Sequence, residues 1–255
     1  MKQLISFFLR KIPRKYLQLV SHHVLRVLSI FYKGNNVQCP VCSAQYRKFM
    51  PYGRVGRANA LCPSCLSLER HRLIWLYLKQ KTDFFSKKSK MLHVAPERCF
   101  IDRFEQLEHL DYITGDIESP LAKVKMDIHE IPFDDNTFDV IFCNHVLEHV
   151  DDDIKAMSEM YRVLKPGGWA ILQIPLFYPL PEKTYEDSSI TSAKEREKAF
   201  GQDDHVRLYG HDYTERIKSV GFKVEGADFI KSLSADQIKR YALPADEPIF
   251  NAIKV

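Results

Sequence analysis

Short apolar runs begin to alternate with helical patterns near residue 90. Residues 91–95, 112–114, 124–126, 140–143 and 169–174 read as five successive strands, each with a polar residue at its edge. Between the last two, Ile154, Met157, Tyr161 and Leu164 recur at helical spacing behind three aspartates at 151–153, and Pro166-Gly167-Gly168 marks the stop. Such alternation predicts a parallel α/β sheet with ligands at the carboxyl ends of its strands. The earlier part of the chain follows other periods. Leu17, Val20, Val24, Leu28 and Phe31 share one helical face, predicting an amphipathic helix over 15–33 after the break at Pro13. A hairpin is expected within 46–60 and a bridging helix over 69–79. After the fifth strand, residues 176–211 form a long polar insertion, which serves as a substrate-side lid in one reading and a plain solvated loop in another.

Charge divides the chain more sharply than its net +4 suggests. The first 68 residues hold eleven Lys/Arg and no acid, which leaves 26 of the 37 basic residues against all 33 acids in the remainder. A basic front end fits an anionic partner: nucleic acid, acidic lipid, or the chain's own acidic part. Lys2, Arg10, Lys11, Arg14 and Lys15 beside the amphipathic face make peripheral contact with a membrane one use of the arm, and packing on the rest of the protein another. With 45% apolar residues and no apolar run long enough to span a bilayer, the expectation is a cytoplasmic protein, with the arm available to the inner face of the membrane.

Four of the six cysteines come in two knuckles, Cys39-Pro40-Val41-Cys42 and Cys62-Pro63-Ser64-Cys65, at zinc-ribbon separation. Each knuckle delivers two thiolates from one tight turn. Four protein thiolates fill a tetrahedron and leave no open position, so a structural zinc is expected at Cys39, Cys42, Cys62 and Cys65. Cys99 and Cys143 lack a partner at metal spacing and are expected as small buried residues.

Three segments are recognisable as a set: Asp127-Ile128-His129-Glu130-Ile131-Pro132-Phe133 running on to Phe138-Asp139-Val140-Ile141, then Val146-Leu147-Glu148-His149-Val150, then Arg162-Val163-Leu164-Lys165-Pro166-Gly167-Gly168. Together they closely resemble the methyltransferase type-11 family of class I S-adenosylmethionine-dependent methyltransferases, over roughly 90–175. Ser219-Val220-Gly221-Phe222 also looks like that family's turn into its sixth strand. The resemblance implies a Rossmann-like seven-stranded sheet of order 3-2-1-4-5-7-6, with residues 249–255 as its antiparallel last strand. Three parts follow: a basic helical arm (1–36), a zinc-ribbon-like module (37–68) and a methyltransferase domain (69–255).

By position, the resemblance assigns Asp116 to the cofactor's ribose hydroxyls, Asp127 and Ile128 to its adenine, and Asn144 and His145 to the methyl-donor pocket. The chain departs from the pattern after the first strand. Where the family has acid-x-Gly-x-Gly, this chain reads His93-Val94-Ala95-Pro96-Glu97, with no glycine to let the backbone approach the cofactor. His93, Ala95, Pro96 and Glu97 are nonetheless the candidates for that contact.

Methyl transfer is an in-line displacement in which the protein positions the acceptor and removes its proton, and His145 and His205 are the candidate bases. His145-Val146-Leu147-Glu148-His149 also fits the H-x-x-E-H pattern of an inverted zinc peptidase, which is set aside because these residues stand in register with the methyltransferase match. The leading acceptor is an oxygen or nitrogen of a small molecule, glycan or lipid-linked compound. An RNA acceptor is the alternative, by similarity to ribosomal guanine-N1 methyltransferases that also carry a cysteine module; Arg47, Lys48, Arg54 and Arg57 among Tyr46, Phe49 and Tyr52 would serve it. A zinc-stapled binding protein without catalysis is the third reading.

Overall fold

The computed structural model describes Leu25, residues 27–53 and residues 56–255. The arm's helix and its basic cluster fall almost wholly outside the described residues. Its described end is helical at Leu25, Val27 and Leu28 and passes through a single turn, Ser29–Tyr32, directly into a strand. The chain forms two compact units, each discontinuous in sequence. One comprises the chain to Thr82 with Glu97–Arg103 and Lys231–Asp246, and the other Asp83–Pro96, Phe104–Ile230 and Glu247–Val255.

In the first unit, β1 (Lys33–Gln38) pairs with β2 (Gln45–Tyr46), and β3 (Met50–Tyr52) pairs with β4 (Arg57–Leu61), both antiparallel. The hairpin expected within 46–60 is therefore shorter at its start. Tyr46 is drawn to β1 across the first cysteine knuckle instead. Helix Glu69–Lys81 buries every side chain from His71 to Leu78, a continuous run that only a helix covered all round can carry. Its one buried cation, Arg72, donates to the carbonyls of Ala60, Ser67, Asn59, Tyr241 and Ala242 at 2.6 to 3.1 Å and lies 4.4 Å over the Phe49 ring. With its whole fork satisfied, the guanidinium is a cross-brace.

In the second unit, β5 (Ser89–Val94), β6 (Leu110–Asp116), β7 (Val124–Lys125), β8 (Phe138–Asn144) and β9 (Leu164–Gln173) run parallel. A two-residue ribbon joins β10 (Tyr185–Glu186) to β11 (Arg207–Leu208). The strand β12 (Phe222–Glu225) and the strand β13 (Asn251–Lys254) complete a sheet of order β12-β13-β9-β8-β5-β6-β7, with β13 antiparallel to both neighbours. Numbered within the sheet, this is the 3-2-1-4-5-7-6 arrangement that the family resemblance implies. The central strand β8 is buried at six of seven positions because both faces are covered. Ile141, Cys143, Met157, Met160 and Leu172 pack on one side, and Phe84, Phe104, Phe142 and Trp169 meet on the other. A fully buried Leu or Ile contributes about 1.5–3 kcal/mol, so this core is the unit's main support.

Helix Asp153–Val163 starts where Asp152 accepts from the Lys155 amide at 2.8 Å. It ends at once in β9, whose register to β8 shifts after Leu164. At that bulge a Cβ on Gly168 would stand 2.9 Å from the Lys165 carbonyl oxygen, so the glycine is required for close approach. The insertion is folded: helix Ala193–Phe200 is capped by Ser192 and closed by Gly201 at φ 87°, and Phe200, His205, Arg207 and Tyr209 are buried. A plain solvated loop does not describe it.

Candidate functional sites

The two cysteine knuckles share one backbone design. In the first, Cys39 N–H donates to the Ala44 carbonyl and Ser43 N–H to the Cys39 carbonyl; in the second, Cys62 N–H donates to Ser67 and Leu66 N–H to Cys62. Ser43 and Leu66, each following the second cysteine, take φ of 62° and 64°. The repeated turn brings four Sγ atoms within 4.8 Å of one another, with Cys39 to Cys65 at 3.6 Å and Cys42 to Cys62 at 3.7 Å. A tetrahedral zinc with bonds of about 2.3 Å needs sulfurs about 3.8 Å apart, so the donor set fits that ion. Ser67 Oγ supports the cluster from 3.1 Å, against Cys39 Sγ. His71 is not a fifth ligand: its Nδ1 accepts from the Leu68 amide at 3.1 Å and caps its own helix.

At the carboxyl ends of the sheet, Ala95 follows β5 in the left-handed region at φ 48°, with its N–H donating to the Gly115 carbonyl at 2.9 Å. The loop thus keeps a glycine-like backbone without a glycine, at a cost of about 1 kcal/mol. His93 lies inside β5, fully buried, 2.7 Å from the Tyr112 hydroxyl and among Phe104 and Phe142. Pro96 closes this segment. Glu97 belongs to the first unit, where its Oε1 is 3.3 Å from His71 Nε2. Asp116 ends β6; its Oδ1 accepts from the amides of Glu118 and Ser119, leaving Oδ2 without a bond among the described residues. Asp127 is exposed, and the His129 amide and ring hold its carboxyl below the usual range, while the neighbouring Ile128 is buried.

The richest chemistry follows β8. Asn144 is buried at the strand's end, and His145 turns the chain at φ 56°. Residues 147–149 form a turn, not a helix, so the two histidines of H-x-x-E-H do not share a helical face. Glu148, only 1% exposed, places Oε1 3.4 Å from His145 Nδ1 and 3.9 Å from His149 Nε2. Burial pushes its carboxyl up, and the His145 hydrogen bond with the fields of both histidines outweighs burial, so it lies below the usual range.

From the insertion, His205 brings its ring edge-on to His149, centroids 4.8 Å apart. Burial holds its imidazole below the ordinary histidine value. Val206 N–H donates to the Glu148 carbonyl, and Arg207, 3% exposed, donates to the carbonyls of Leu147, Val150 and Asp151 and to Glu186. The structure therefore brings His145 and His205 around a shared buried acid. Sequence reasoning assigned no role to Glu148 or Arg207. An acid between histidines was a visible signal, whereas nothing in the sequence paired Arg207 with a turn some sixty residues away. A recess of about 610 Å³ lined by Lys90, Phe133, Thr137 and Arg162 lies at the opposite, amino ends of the strands and touches none of these groups.

Residues 88–172 match the family described as Methyltransferase domain. The chain is 37% identical over 92 residues to the ubiquinone/menaquinone biosynthesis C-methyltransferase UbiE of Psychromonas ingrahamii, covering 35% of this chain and 36% of that protein. It is also 37% identical over 122 residues to an uncharacterized methyltransferase of Schizosaccharomyces pombe, covering 43% and 40%. Each relative is thus matched over less than half its length. Among solved structures, an S-adenosylmethionine dependent methyltransferase from Mesorhizobium loti aligns at 16% identity and TM-score 0.48, over 71% of this chain and 96% of that one.

Proposed function

We propose that this chain is an S-adenosylmethionine-dependent methyltransferase acting on a small acceptor that gives up a proton as it is methylated. The observation that carries the reading is the arrangement at the strand ends. Ala95 turns left-handed after β5, Asp116 keeps one carboxylate oxygen free after β6, and His145 stands against the buried Glu148 after β8. The cofactor, when bound, supplies the electrophilic methyl and its leaving group. Asp116 would hold its ribose, Asp127 and Ile128 its adenine, and the Ala95 backbone would border its amino-acid end.

His145 works as the base. Its Nδ1–H donates to Glu148, which fixes the tautomer and leaves Nε2 to take the acceptor's proton. His205, kept neutral by burial, lines the same side and is the second candidate. The insertion closes over the acceptor as a lid. An oxygen or nitrogen acceptor on a small molecule, glycan or lipid-linked compound suits this proton removal directly. A ring carbon of a phenol is a second reading, favoured by the C-methyltransferase name of a relative, because ionising the phenol activates the carbon. The four cysteines hold a structural zinc, and the basic arm offers contact with an anionic surface.

Calorimetric titration with S-adenosylmethionine tests the core of this. Wild type should bind, and Asp116→Ala should weaken binding about a hundredfold, the loss of a charge-assisted contact. A folded, zinc-loaded wild type that binds none overturns the reading in favour of a binding protein. His145→Ala should keep cofactor affinity and lose turnover; equal losses in both would remove it as the base.

A further inference from the structure

The buried acid after β8 has one oxygen that the proton-transfer reading leaves unused. Glu148 Oε1 faces His145, but Oε2 is fully buried with no hydrogen-bond partner among the described residues. Orphaned carboxylate oxygens are costly in a protein interior, and no lysine or arginine side chain pairs with this one among the described residues. Arg207, the nearby cation, spends its fork on backbone carbonyls and Glu186.

The two histidines beside it are set in one tautomer by backbone carbonyls, which can only accept. His149 Nδ1 lies 3.1 Å from the Asp204 carbonyl oxygen and His205 Nδ1 lies 3.2 Å from that of Phe200, so both donate from Nδ1. Each ring then carries its lone pair on Nε2. His205 Nε2 accepts from the Gln202 amide at 2.9 Å, which is consistent with that tautomer. His149 Nε2 lies 3.9 Å from Glu148 Oε1, on the carboxylate whose other oxygen is unpartnered among the described residues. Two acceptors facing each other across that gap call for a cation between them.

We propose that Glu148, His149 and His205 bind a divalent first-row transition cation of the zinc and iron class. One donor atom from each lies within 4.8 Å of the others. Two imidazoles and one carboxylate are the borderline donor set that such ions take, and a carbonyl on the far nitrogen of each ring is the usual way of orienting a ligating histidine. Asp204, whose Oδ2 is 3.7 Å from His149 Nδ1, adds negative charge behind that ligand. The donor set differs from the H-x-x-E-H peptidase pattern, since His145 does not take part and the third ligand comes from the insertion. Three protein ligands leave positions open, unlike the four thiolates, so this is a site at which an exogenous oxygen can also coordinate. On cation binding Gln202, a half-buried side chain, gives up its contact to His205.

Cobalt titration of the full chain tests the proposal without reference to methyl transfer. Purified protein is loaded with excess Co²⁺, desalted and assayed for total cobalt per chain, while the thiolate-to-cobalt charge-transfer band counts the cation held by cysteine. Wild type should hold one equivalent beyond that counted by the thiolate band. His149→Ala, a change at an exposed residue that spares the core, should lose the additional equivalent and keep the thiolate band unchanged. Glu148→Gln should do the same where it folds. Wild type with no cobalt beyond the thiolate-bound equivalent, or a second equivalent that survives in folded His149→Ala, overturns the proposal.

Discussion

The four-cysteine cluster and the Glu148, His149 and His205 cluster are built on opposite plans. The cysteines arrive in two local turns with the same hydrogen bonds, and the apolar cluster beside them is small, Ala60, Leu61 and Leu68. Such a cluster depends on its cation for definition, because four thiolates brought this close repel one another until a cation lies between them. The second cluster draws one ligand from an insertion, yet its geometry is set without any ion. Arg207 anchors the turn through three carbonyls, and the Val206 amide adds a fourth contact. On the readings proposed above, the first cluster is organised by what it binds and the second by the scaffold around it.

This contrast predicts different failures. The largest effect is expected at the cysteines: Cys39→Ser, or chelation of wild type, should remove metal-linked stability on the order of 10 kcal/mol. Hydrogen exchange should then speed up throughout β1 to β4, while amides of β5, β8 and β9 stay protected. Protection retained in β1 to β4 would mean that the knuckles fold without a cation. Next is Arg207→Ala, which strands the buried Leu147 carbonyl and the part-buried carbonyls of Val150 and Asp151 and should cost about 2–4 kcal/mol in urea unfolding. The same variant should abolish turnover with the cysteine unit intact. An effect below about 1 kcal/mol would show that water replaces the guanidinium.

A smaller effect follows from His205. Folding keeps its imidazole neutral below the ordinary histidine pKa of about 6.5, so in that range the unfolded chain binds the extra proton. Stability contributed in this way rises with pH and is lost as pH falls below about 6.5. Urea midpoints of wild type should therefore drop from about pH 7.5 to about pH 5.5 more steeply than those of His205→Gln. Parallel curves would show that the ring accepts its proton in the folded state. Smallest is Ala95→Gly, which relieves the left-handed strain and should raise the melting temperature by about 2–4 °C.

The sheet was legible because β8 and β9 are continuous apolar runs and the segments around them resemble a known family; even the strand order follows from that resemblance. The clustering of the four cysteines was legible for a different reason, since each knuckle is a pattern completed within four residues. The histidine cluster after β8 was only half legible. His145 and His205 could be named, and an acid between histidines was in view, but the burial of Glu148 is not encoded locally, and only the packing of residues 205–207 onto 147–151 reveals it. The membership of helix Glu69–Lys81 in the first unit was likewise hidden. Its brace, Arg72, reaches carbonyls of residues 241 and 242, and no local period encodes a partner that far along the chain.

The wedge made by β13 carries a kinetic consequence. Since β12 touches the sheet only through β13, which follows it in the chain, β12 has no pairing edge until the later strand has docked. The pairing that makes room for it joins Ala252 to Ala170, a loop of roughly eighty residues. Closing so long a loop is slow, and in the interval the apolar edge of β9 stands open to any other strand in the solution. The refolding yield of this chain should therefore depend on protein concentration far more than its final stability does.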